Sequence, residues 1–409
     1  MARKGKDGPQ KVGAMVRICV VGGKLQGLEA TYLAKKAGFT TILIDRRKAP
    51  ASYLADETYL ADVLRDDNIV RAIIKSSDAV LPALEDLEAL LKLERVCKEL
   101  GIPYMQDTTA FTVTSNKRVF AKFCYENQIP HPKLFPQATF PVIVKPVIGS
   151  GGKEVHFVES PEKMRQVQEH MRKKGVDFIV QEYATGYFLS LELLGLEGLP
   201  MPMQVTCLEF DEGYGCKRVL APWPYGNEVI KKTIAIGEKV VKGLRLTGLT
   251  DIQVVVREGG HVEIIEANAR LPSQTPTVVY HSTDVNMVEL LLDLFLKGRL
   301  PSYRPRDERV VIYQHILIKD GRLKVVAERE LSRAMGLRIE RGFYGLDEAI
   351  TNLSNNEGVA TLIVKDANYK RAKERMKEAL KSIATDFRAS TIEDASPWGV
   401  KSLYDEIDS

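Results

Sequence analysis

The sequence predicts a fold of mixed class, with α/β and α+β units in one chain, and three observations support this. Residues 17–45 contain a short apolar segment, a glycine-rich turn, a helical segment and a second apolar segment, which is typical of a doubly wound parallel sheet. Residues 141–158 place a glycine-rich loop between two strands. Residues 250–267 form two strands rich in β-branched residues around Gly259 and Gly260, which predicts a hairpin.

These segments and the chain length predict three domains after a short tail. We expect a disordered tail at 1–14, an N-terminal Rossmann-like domain at 15–112, a central domain at 113–190 and a C-terminal α+β domain at 191–409. The tail is basic and lacks the apolar core of a signal peptide. The acidic residues 405–409 are expected to be a loose end.

The composition indicates a cytoplasmic protein that acts on small molecules. A net charge of +4 over 409 residues is too weak to predict a nucleic-acid partner. No apolar segment approaches the roughly 20 residues that span a bilayer, so we expect no membrane partner. The five cysteines lack the paired spacing of a zinc site and are expected to be reduced. Whether the chain forms oligomers stays open.

The first glycine-rich turn disfavours a nicotinamide dinucleotide as ligand. A dinucleotide fingerprint would need glycine at positions 22, 24 and 27, and Lys24 occupies the middle position. Lys24 could instead meet a phosphate or a carboxylate at the start of the predicted helix 28–37. Asp45, at the tip of the strand 40–44, could accept a ribose hydroxyl or could be a turn residue.

Glu85 follows the predicted strand 79–82 at its carboxyl end, where ligands of such sheets collect. It is a candidate for binding a substrate ammonium group. The alternative is that it stabilises the first turn of the helix predicted at 88–100, because carboxylates favour helix N-termini.

The central domain carries two lysines around a glycine-rich loop. Lys117 opens a helix that runs to about Glu126, and Lys145 lies in the strand 141–146 just before the loop 148–153. Glycine lets a backbone approach phosphates closely, so the loop and the lysines predict a phosphate cover. The alternative is that each lysine is a surface charge.

Polar residues end the next two strands of the central domain. Gln181 to Ala184 close the strand that begins at 178 and could offer backbone groups to an adenine edge, with Glu182 on a ribose. Ser190 and Glu192 share one face of the following strand, because alternate residues of a strand point the same way. They could bind a ligand or could belong to an ordinary amphipathic strand.

The hairpin 250–267 predicts a magnesium site. Glu266, Asn268 and Arg270 alternate along the second strand and therefore point the same way, while Asp251 begins the first strand. Oxygen ligands in this arrangement suit a Mg²⁺ ion that also binds nucleotide phosphates. The planar guanidinium of Arg270 can donate two hydrogen bonds to a phosphate or a carboxylate. The alternative is a surface hairpin with solvated acids. Downstream, residues 273–275 form a polar turn between two prolines, which could hold the amino-acid group of a substrate.

Taken in order, these motifs resemble those of the ATP-grasp ligases over residues 15–365. The strings Val-Gly-Gly-Lys-Leu-Gln-Gly at 21–27 and Ala-Arg-Leu-Pro-Ser-Gln-Thr-Pro at 269–276 are similar to the amino-acid ligases of pyrrolysine biosynthesis. The resemblance implies an ATP-grasp architecture, in which 113–190 is a lid and 191–409 the catalytic domain. It also implies ATP and Mg²⁺ as cofactors, and an amide bond between (3R)-3-methyl-D-ornithine and the ε-amine of L-lysine.

The resemblance further implies a role for each motif. Arg270 would stabilise the oxyanion, and Asp251, Glu266 and Asn268 would bind Mg²⁺. The residues implied to contact ATP are Lys24, Asp45, Asp62, Val63, Lys117, Lys145, Gly152, Lys153, Gln181, Glu182, Tyr183 and Ala184. Those implied to contact lysine are Leu25, Gln26 and Glu85. Those implied to contact methylornithine are Ser190, Leu191, Glu192, Ser273, Gln274 and Thr275. The sequence departs from the family by having Asn268 in place of Asp and a glycine-richer loop at 147–153.

Three other functions stay open at this stage. A ligase or carboxylase of other amino acids would keep the same motifs. An NAD-dependent oxidoreductase would use the first glycine-rich turn, against which Lys24 argues. A nucleotide sensor would bind ATP without turnover.

Overall fold

The computed structural model describes residues 15–304, 308–354 and 357–407, so the tail predicted at 1–14 lies outside the described residues. The predicted fold class is confirmed, because a parallel sheet is followed by a small sheet and a large antiparallel sheet. All five cysteines are free. No helix within the described residues is long and apolar enough to cross a lipid bilayer.

The N-terminal unit is a four-stranded parallel sheet with the order β3-β2-β1-β4. Its elements are β1 (Arg17–Val21), α1 (Leu25–Lys36), β2 (Thr40–Asp45), β3 (Glu57–Leu60), α2 (Asp67–Lys75), β4 (Ala79–Pro82) and α3 (Leu87–Leu100). The helix α1 begins three residues earlier than the sequence predicted, because the amide of Leu28 already donates to the Lys24 carbonyl at 2.7 Å. The strand β3 ends at Leu60, and Asp62 starts the following turn by accepting from the Leu64 amide at 2.9 Å.

The central unit is a three-stranded antiparallel sheet with the order β6-β5-β7, covered by one helix. Two connecting helices, α4 (Thr108–Thr114) and α5 (Lys117–Glu126), precede it. Its elements are β5 (Val142–Pro146), β6 (His156–Val158), α6 (Pro161–Lys173) and β7 (Phe178–Glu182). The next strand belongs to the large sheet from Tyr187 onward, so the structure assigns 187–190 to the C-terminal unit and not to the predicted lid.

The C-terminal unit is built on an 11-stranded sheet whose main path is β12-β11-β8-β9-β10-β13-β17-β16-β15. Its strands are β8 (Tyr187–Leu196), β9 (Leu199–Phe210), β10 (Cys216–Ala221), β11 (Gly248–Val256), β12 (Val262–Asn268), β13 (Val310–Lys319), β14 (Arg322–Val325), β15 (Arg338–Arg341), β16 (Glu348–Thr351), β17 (Gly358–Asp366) and β18 (Thr391–Glu393). Its helices are α7 (Asn227–Leu244), α8 (Thr275–Thr283), α9 (Met287–Lys297), α10 (Tyr369–Asp386) and α11 (Leu403–Glu406).

The end of the chain is more ordered than the sequence predicted. Residues 405 and 406 belong to α11, and Tyr404 of the same helix is buried. The reason is a pair of contacts to Glu209 on β9, which accepts from the Tyr404 amide at 2.8 Å and from the Ser402 hydroxyl at 3.0 Å.

The N-terminal sheet is fixed against the C-terminal unit through α1. The Gln26 side-chain amide donates to the Leu271 carbonyl at 3.0 Å, and Glu29 accepts from the Thr277 amide at 2.6 Å. Deeper along the same helix, the Asn286 amide group donates to the Leu33 carbonyl at 2.7 Å. These contacts place the carboxyl edge of the parallel sheet beside the segment that follows β12.

We predict that Gly27→Ala destabilises the protein, although alanine is the better helix former by about 1 kcal/mol. An added Cβ would lie 1.9 Å from the Gly22 carbonyl oxygen, and Gly22 itself has a φ of +102°. We expect a loss of about 2 to 4 kcal/mol of unfolding free energy, measured by denaturant titration. Gly38→Ala, at a φ of +77° with open space, should cost only about 1 to 2 kcal/mol. A more stable Gly27→Ala protein would contradict the close approach.

Candidate functional site

A cleft lies between the small central sheet and one face of the large sheet. The central sheet contributes Lys145, the glycine-rich loop and the end of β7, and the large sheet contributes Gln253, Ile265 and Glu266. The predicted phosphate cover and the predicted metal site therefore face each other. This juxtaposition could not be predicted from the sequence, since nearly 100 residues separate the two motifs.

Two polar rows cross three neighbouring strands on the cleft face of the large sheet. They follow from the antiparallel register, which sets residues of β8 and β12 directly beside residues of β11. The first row is Glu192, Asp251 and Asn268, and the second is Ser190, Gln253 and Glu266. The hairpin and the convergence of its donors, predicted from the alternation alone, are thus present.

A β-bulge interrupts the second strand of the hairpin at Ile265. The register shifts there, because Gln253 pairs with Glu266 while the next residue, Val254, pairs with Ile264. Both Ile264 and Ile265 line the cleft as a result. Bulges re-aim side chains next to active sites. No local pattern predicts this bulge, because the residues of β12 are compatible with uninterrupted alternation.

The predicted metal donors surround one buried carboxylate. Asp251 accepts from the side-chain amides of Asn268 at 3.1 Å and Gln253 at 3.4 Å through Oδ2. Its Oδ1 is buried, has no hydrogen-bond partner within the described structure, and lies 3.5 Å from Arg270 Nη1. Burial raises the pKa of Asp251, and Arg270 opposes that shift.

These donors fit a divalent cation. Two carboxylates and one amide, with an orphan buried oxygen among them, are the hard oxygen donors that Mg²⁺ prefers. In the described ranges, no group of three or more His, Cys, Asp or Glu side chains could hold a metal ion. A cation here would thus rely on Asp251 and Glu266 for charge, with Asn268 as a neutral donor.

Arg270 connects the metal donors to the N-terminal unit. Its guanidinium lies 3.1 Å from Glu85 Oε1, and the other oxygen of Glu85 accepts from the Ser150 hydroxyl at 2.9 Å. Burial would raise the pKa of Glu85, but Arg270 and Ser150 hold it below its ordinary value. Glu85 does not belong to the following helix, which begins at Leu87 and is capped by Asp86. Glu85 thus faces the cleft, and its contact with a substrate ammonium group stays a prediction.

The other N-terminal candidates divide into two groups. Leu25 and Gln26 open α1 beside the Leu271 carbonyl, close to Arg270. By contrast, the residues predicted to contact a nucleotide lie at the carboxyl edge of the parallel sheet and do not line the cleft; they are Lys24, Asp45, Asp62 and Val63. Asp45 accepts from the amides of Gly23 at 2.8 Å and Arg47 at 2.9 Å, so it acts as a turn residue here.

Two lysines of the central unit form no ion pair within the described residues. Lys117 donates to the Gly149 carbonyl at 2.6 Å, and Lys145 is buried without an ion-pair partner among the described residues. Burial lowers the pKa of Lys145 to about 8, with Glu266 opposing the shift and Lys117 adding to it. Buried cations without partners are costly, so the site fits an anion such as a triphosphate.

The glycine-rich loop is shaped for close approach. Gly149, Gly151 and Gly152 all have positive φ angles, of +146°, +67° and +71°. An added Cβ on Gly152 would lie 2.4 Å from the Gly213 carbonyl oxygen. Lys153 ends the loop and lines the same cleft. The serine-poor sequence of this loop is therefore compatible with the phosphate cover that the motif predicts.

The end of β7 lines the other side of the cleft, where the sequence predicts an adenine pocket. Gln181 is fixed by donating to the Pro132 carbonyl at 3.3 Å, and Glu182 lies 3.5 Å from Arg257. Tyr183 and Ala184 follow and are buried. All four residues predicted here line the cleft.

Two buried carboxylates, Glu192 and Glu328, lie near the turn 273–275, and of the two Glu328 lines the cleft. Glu192 is fully buried and accepts from the Ser190 hydroxyl at 2.8 Å, yet its Oε2 has no partner in the described structure. Oε2 of Glu328 and the side-chain oxygens of Gln274 and Thr275 likewise form no hydrogen bond of ordinary geometry in the described structure. Thr275 nevertheless lies near enough to Glu192, and Gln274 near enough to Glu328, to oppose the rise in the pKa of each carboxyl. Burial raises the pKa of Glu192 and of Glu328 to about 7.

The backbone of this turn is strained. Gln274 has a φ of +82°, an unusual angle for a residue with a side chain. Such strain persists where the surroundings enforce it and is common at functional sites. The polar turn expected at Ser273 to Thr275 is therefore present, and Thr275 opens α8.

Several residues that line the cleft were not predicted, and three of them share one reason. Glu328 opens a short 3-10 helix after β14, Gln253 stands between two apolar residues of β11, and Val400 lies near the chain end. No motif surrounds any of them. Only Gln253 could have been predicted, because it lies two residues after Asp251 and therefore on the same face of β11.

Comparisons with known proteins agree with this arrangement. The ATP-grasp domain family matches residues 114–274. The 3-methyl-D-ornithine–L-lysine ligase of Methanosarcina barkeri is 32% identical over 320 residues, which cover 78% of this chain and 84% of that protein. The corresponding ligase of Methanosarcina acetivorans is 31% identical, with the same coverage of both chains.

Solved structures share the fold at low sequence identity. A biotin carboxylase from Campylobacter jejuni, in complex with an ATP analogue, has a TM-score of 0.70 at 15% identity and covers 92% of this chain and 95% of that chain. An L-amino acid ligase from Bacillus licheniformis has a TM-score of 0.64 at 15% identity and covers 90% and 97% of the two chains.

The family match, the ligase relatives and the cleft with its opposed lysines and carboxylates lead to one assignment. The chain belongs to the ATP-grasp family and is an ATP-dependent carbon–nitrogen ligase.

Proposed function

We propose that this ligase activates the carboxylate of (3R)-3-methyl-D-ornithine and joins it to the ε-amine of L-lysine, as a step of pyrrolysine biosynthesis. The observation that carries the proposal is the group of buried, unpaired carboxylates beside the phosphate and metal site. The names and sequence identities of the Methanosarcina relatives support the same substrates.

The two buried carboxylates, Glu192 and Glu328, suit a ligand with two amino groups. Glu192 is fully buried and Glu328 is 7% exposed, and neither forms an ion pair in the described ranges. A buried carboxylate without a cation is strongly disfavoured, so ammonium groups of a ligand would compensate it. Ser190 and Glu192, the backbone between them at Leu191 and the turn 273–275 together form the methylornithine pocket in this proposal.

ATP, when bound, supplies the phosphoryl group that converts the substrate carboxylate into an acyl phosphate. Lys117, Lys145 and the loop through Gly152 and Lys153 hold the phosphates of the nucleotide. Asp251, Glu266 and Asn268 hold Mg²⁺, and Gln181 to Ala184 hold the adenine and ribose. Lys24, Asp45, Asp62 and Val63 are proposed to contact a nucleotide at the carboxyl edge of the N-terminal sheet.

The second half of the reaction belongs to Arg270 and its neighbours. Leu25, Gln26 and Glu85 form the proposed lysine site, in which Glu85 accepts the ammonium group. Arg270 then faces the carbonyl carbon and stabilises the oxyanion as the carbon–nitrogen bond forms and the carbon–oxygen bond to phosphate breaks. The amine, whose ordinary pKa is about 10.4, gives its proton to a carboxylate or to the departing phosphate.

The direct test is the product. Incubation with ATP, Mg²⁺, L-lysine and 3-methyl-D-ornithine should give one new compound, whose mass is the sum of both amino acids less one water. Fragmentation should place the amide on the ε-nitrogen. ADP release with other amino acids, and none with this pair, would refute the proposed substrates. The assignment as an ATP-dependent ligase would still hold.

We predict that Glu266→Gln lowers the rate of ADP formation by at least about 100-fold, because it removes one of two anionic metal donors. Steady-state kinetics with both amino acids present will measure the loss. Glu258→Gln is the matched control, since this exposed residue lies at the tip of the same hairpin. Unchanged turnover in Glu266→Gln would remove the metal site from the proposal.

We predict that Glu328→Gln raises the KM for methylornithine by about tenfold above pH 8 and by much less near pH 6. The pKa of Glu328 is raised to about 7 by burial, so its carboxyl ionises, and binds an ammonium group better, as the pH rises through about 7. Initial rates across this pH range will measure KM.

Glu330→Gln on the same 3-10 helix is the control for this substitution, because its side chain is 40% exposed. An equal increase of KM at every pH would indicate that Glu328 acts only through packing.

A further inference from the structure

The last described segment of the chain returns to the cleft. Residues 397–401 are here called the strap. They run past residues 183–186, here called the hinge, which link the central sheet to the large sheet. One strap residue, Val400, lines the cleft together with Glu182, Tyr183 and Ala184. The strap therefore borders the pocket that the proposed function assigns to adenine.

The strap is anchored at its first end by buried cations of β10. Lys217 binds the Asp394 carboxylate, the Ala395 carbonyl at 2.8 Å and the Ser396 hydroxyl at 2.9 Å. Arg218 donates to the same carboxylate at 2.5 Å. Both cations are almost fully buried, so these contacts exclude water and are costly to break.

The other end is anchored just as firmly. Glu209 on β9 accepts from Ser402 and from the Tyr404 amide, and the Arg218 guanidinium lies 3.8 Å from the centre of the Tyr404 ring. The five residues of the strap thus connect two anchored segments, 394–396 and 402–404. Such a short segment has little conformational freedom, so its position is set by the sheet.

The strap docks on the hinge through the backbone. The Gly186 amide donates to the Gly399 carbonyl at 3.0 Å, and the Lys401 amide donates to the Gly186 carbonyl at 2.9 Å. Gly399 has a φ of +74°, and an added Cβ would lie 2.7 Å from Thr185 Cγ2. Both the angle and the contact require glycine at this position.

Aromatic contacts continue the docking to the adenine side. The Tyr183 hydroxyl donates to the Trp398 carbonyl, and the two rings stack with centroids 6.0 Å apart at 22°. Phe157 of β6 packs edge-on against Tyr183 at 4.7 Å. The strap thereby touches both the hinge and the central sheet.

We propose that the strap is the outer wall of the adenine pocket, in which Gly399 and Val400 position the hinge 183–186 for the nucleotide. The inference rests on the proposed location of adenine at Gln181 to Ala184. It extends the nucleotide site to a part of the chain that lies more than 120 residues beyond the matched ATP-grasp domain.

Nucleotide affinity tests the strap without turnover. Calorimetric titration of the full chain with Mg²⁺ and ADP should show binding weakened about tenfold in Gly399→Ala, and several-fold in Val400→Ala. Gly336→Ala is the matched control, because Gly336 has a φ of +73° and no atom within 4 Å of an added Cβ. Circular dichroism and melting without nucleotide establish that each variant is folded.

Trp398 supplies a second readout, because its ring is exposed and stacks on Tyr183. Addition of ADP should change the tryptophan emission of the wild type, and Trp398→Phe should abolish that change. Emission that does not respond to saturating ADP would overturn the proposal.

The Lys145→Met variant separates the strap from the nucleotide site itself. Normal ADP binding in Lys145→Met would refute the assigned nucleotide site. Normal binding in Gly399→Ala and Val400→Ala, with defective binding in Lys145→Met, would refute the strap alone.

Discussion

The pairing register of β8, β11 and β12 is the constraint on which the site depends. Because side chains alternate along a strand, a shift by one residue would turn every carboxylate of the two polar rows away from the cleft. The register is held by the apolar residues between the rows, such as Leu191, Ile252 and Ala267, which are fully buried on the opposite face. The core that stabilises the sheet therefore also fixes the proposed metal donors.

Positively and negatively charged side chains lie on opposite sides of the cleft. The central sheet brings buried or loop-bound lysines, and the large sheet brings buried carboxylates, with few ion pairs between them in the described structure. Opposite charges held apart in a low-dielectric site attract ligands that carry both signs. In the proposed function a nucleotide and a diamino acid satisfy this requirement together, which accounts for described lysines and acids of the cleft that form no ion pair with each other.

Much of the architecture could be predicted because its signals are local. The turn at Gly22, the hairpin at Gly259 and the alternation around Glu266 each depend on a few neighbouring residues. Glu328 and Val400 could not be predicted, since only tertiary packing brings them to the cleft. The acidic chain end was wrongly expected to be loose, because its anchors are charged residues buried almost 200 positions earlier.

Arg270 lies between two carboxylates from different units, Glu85 and Asp251, before any substrate is present. A cation that binds to Glu85 or to Asp251 must therefore compete with the guanidinium of Arg270 for that carboxylate. A molecule without a suitably placed ammonium group leaves that internal pairing intact. In the proposed function this exchange contributes to discrimination, because a molecule that does not displace Arg270 leaves its guanidinium paired with Glu85 and Asp251 and away from the reacting carbonyl.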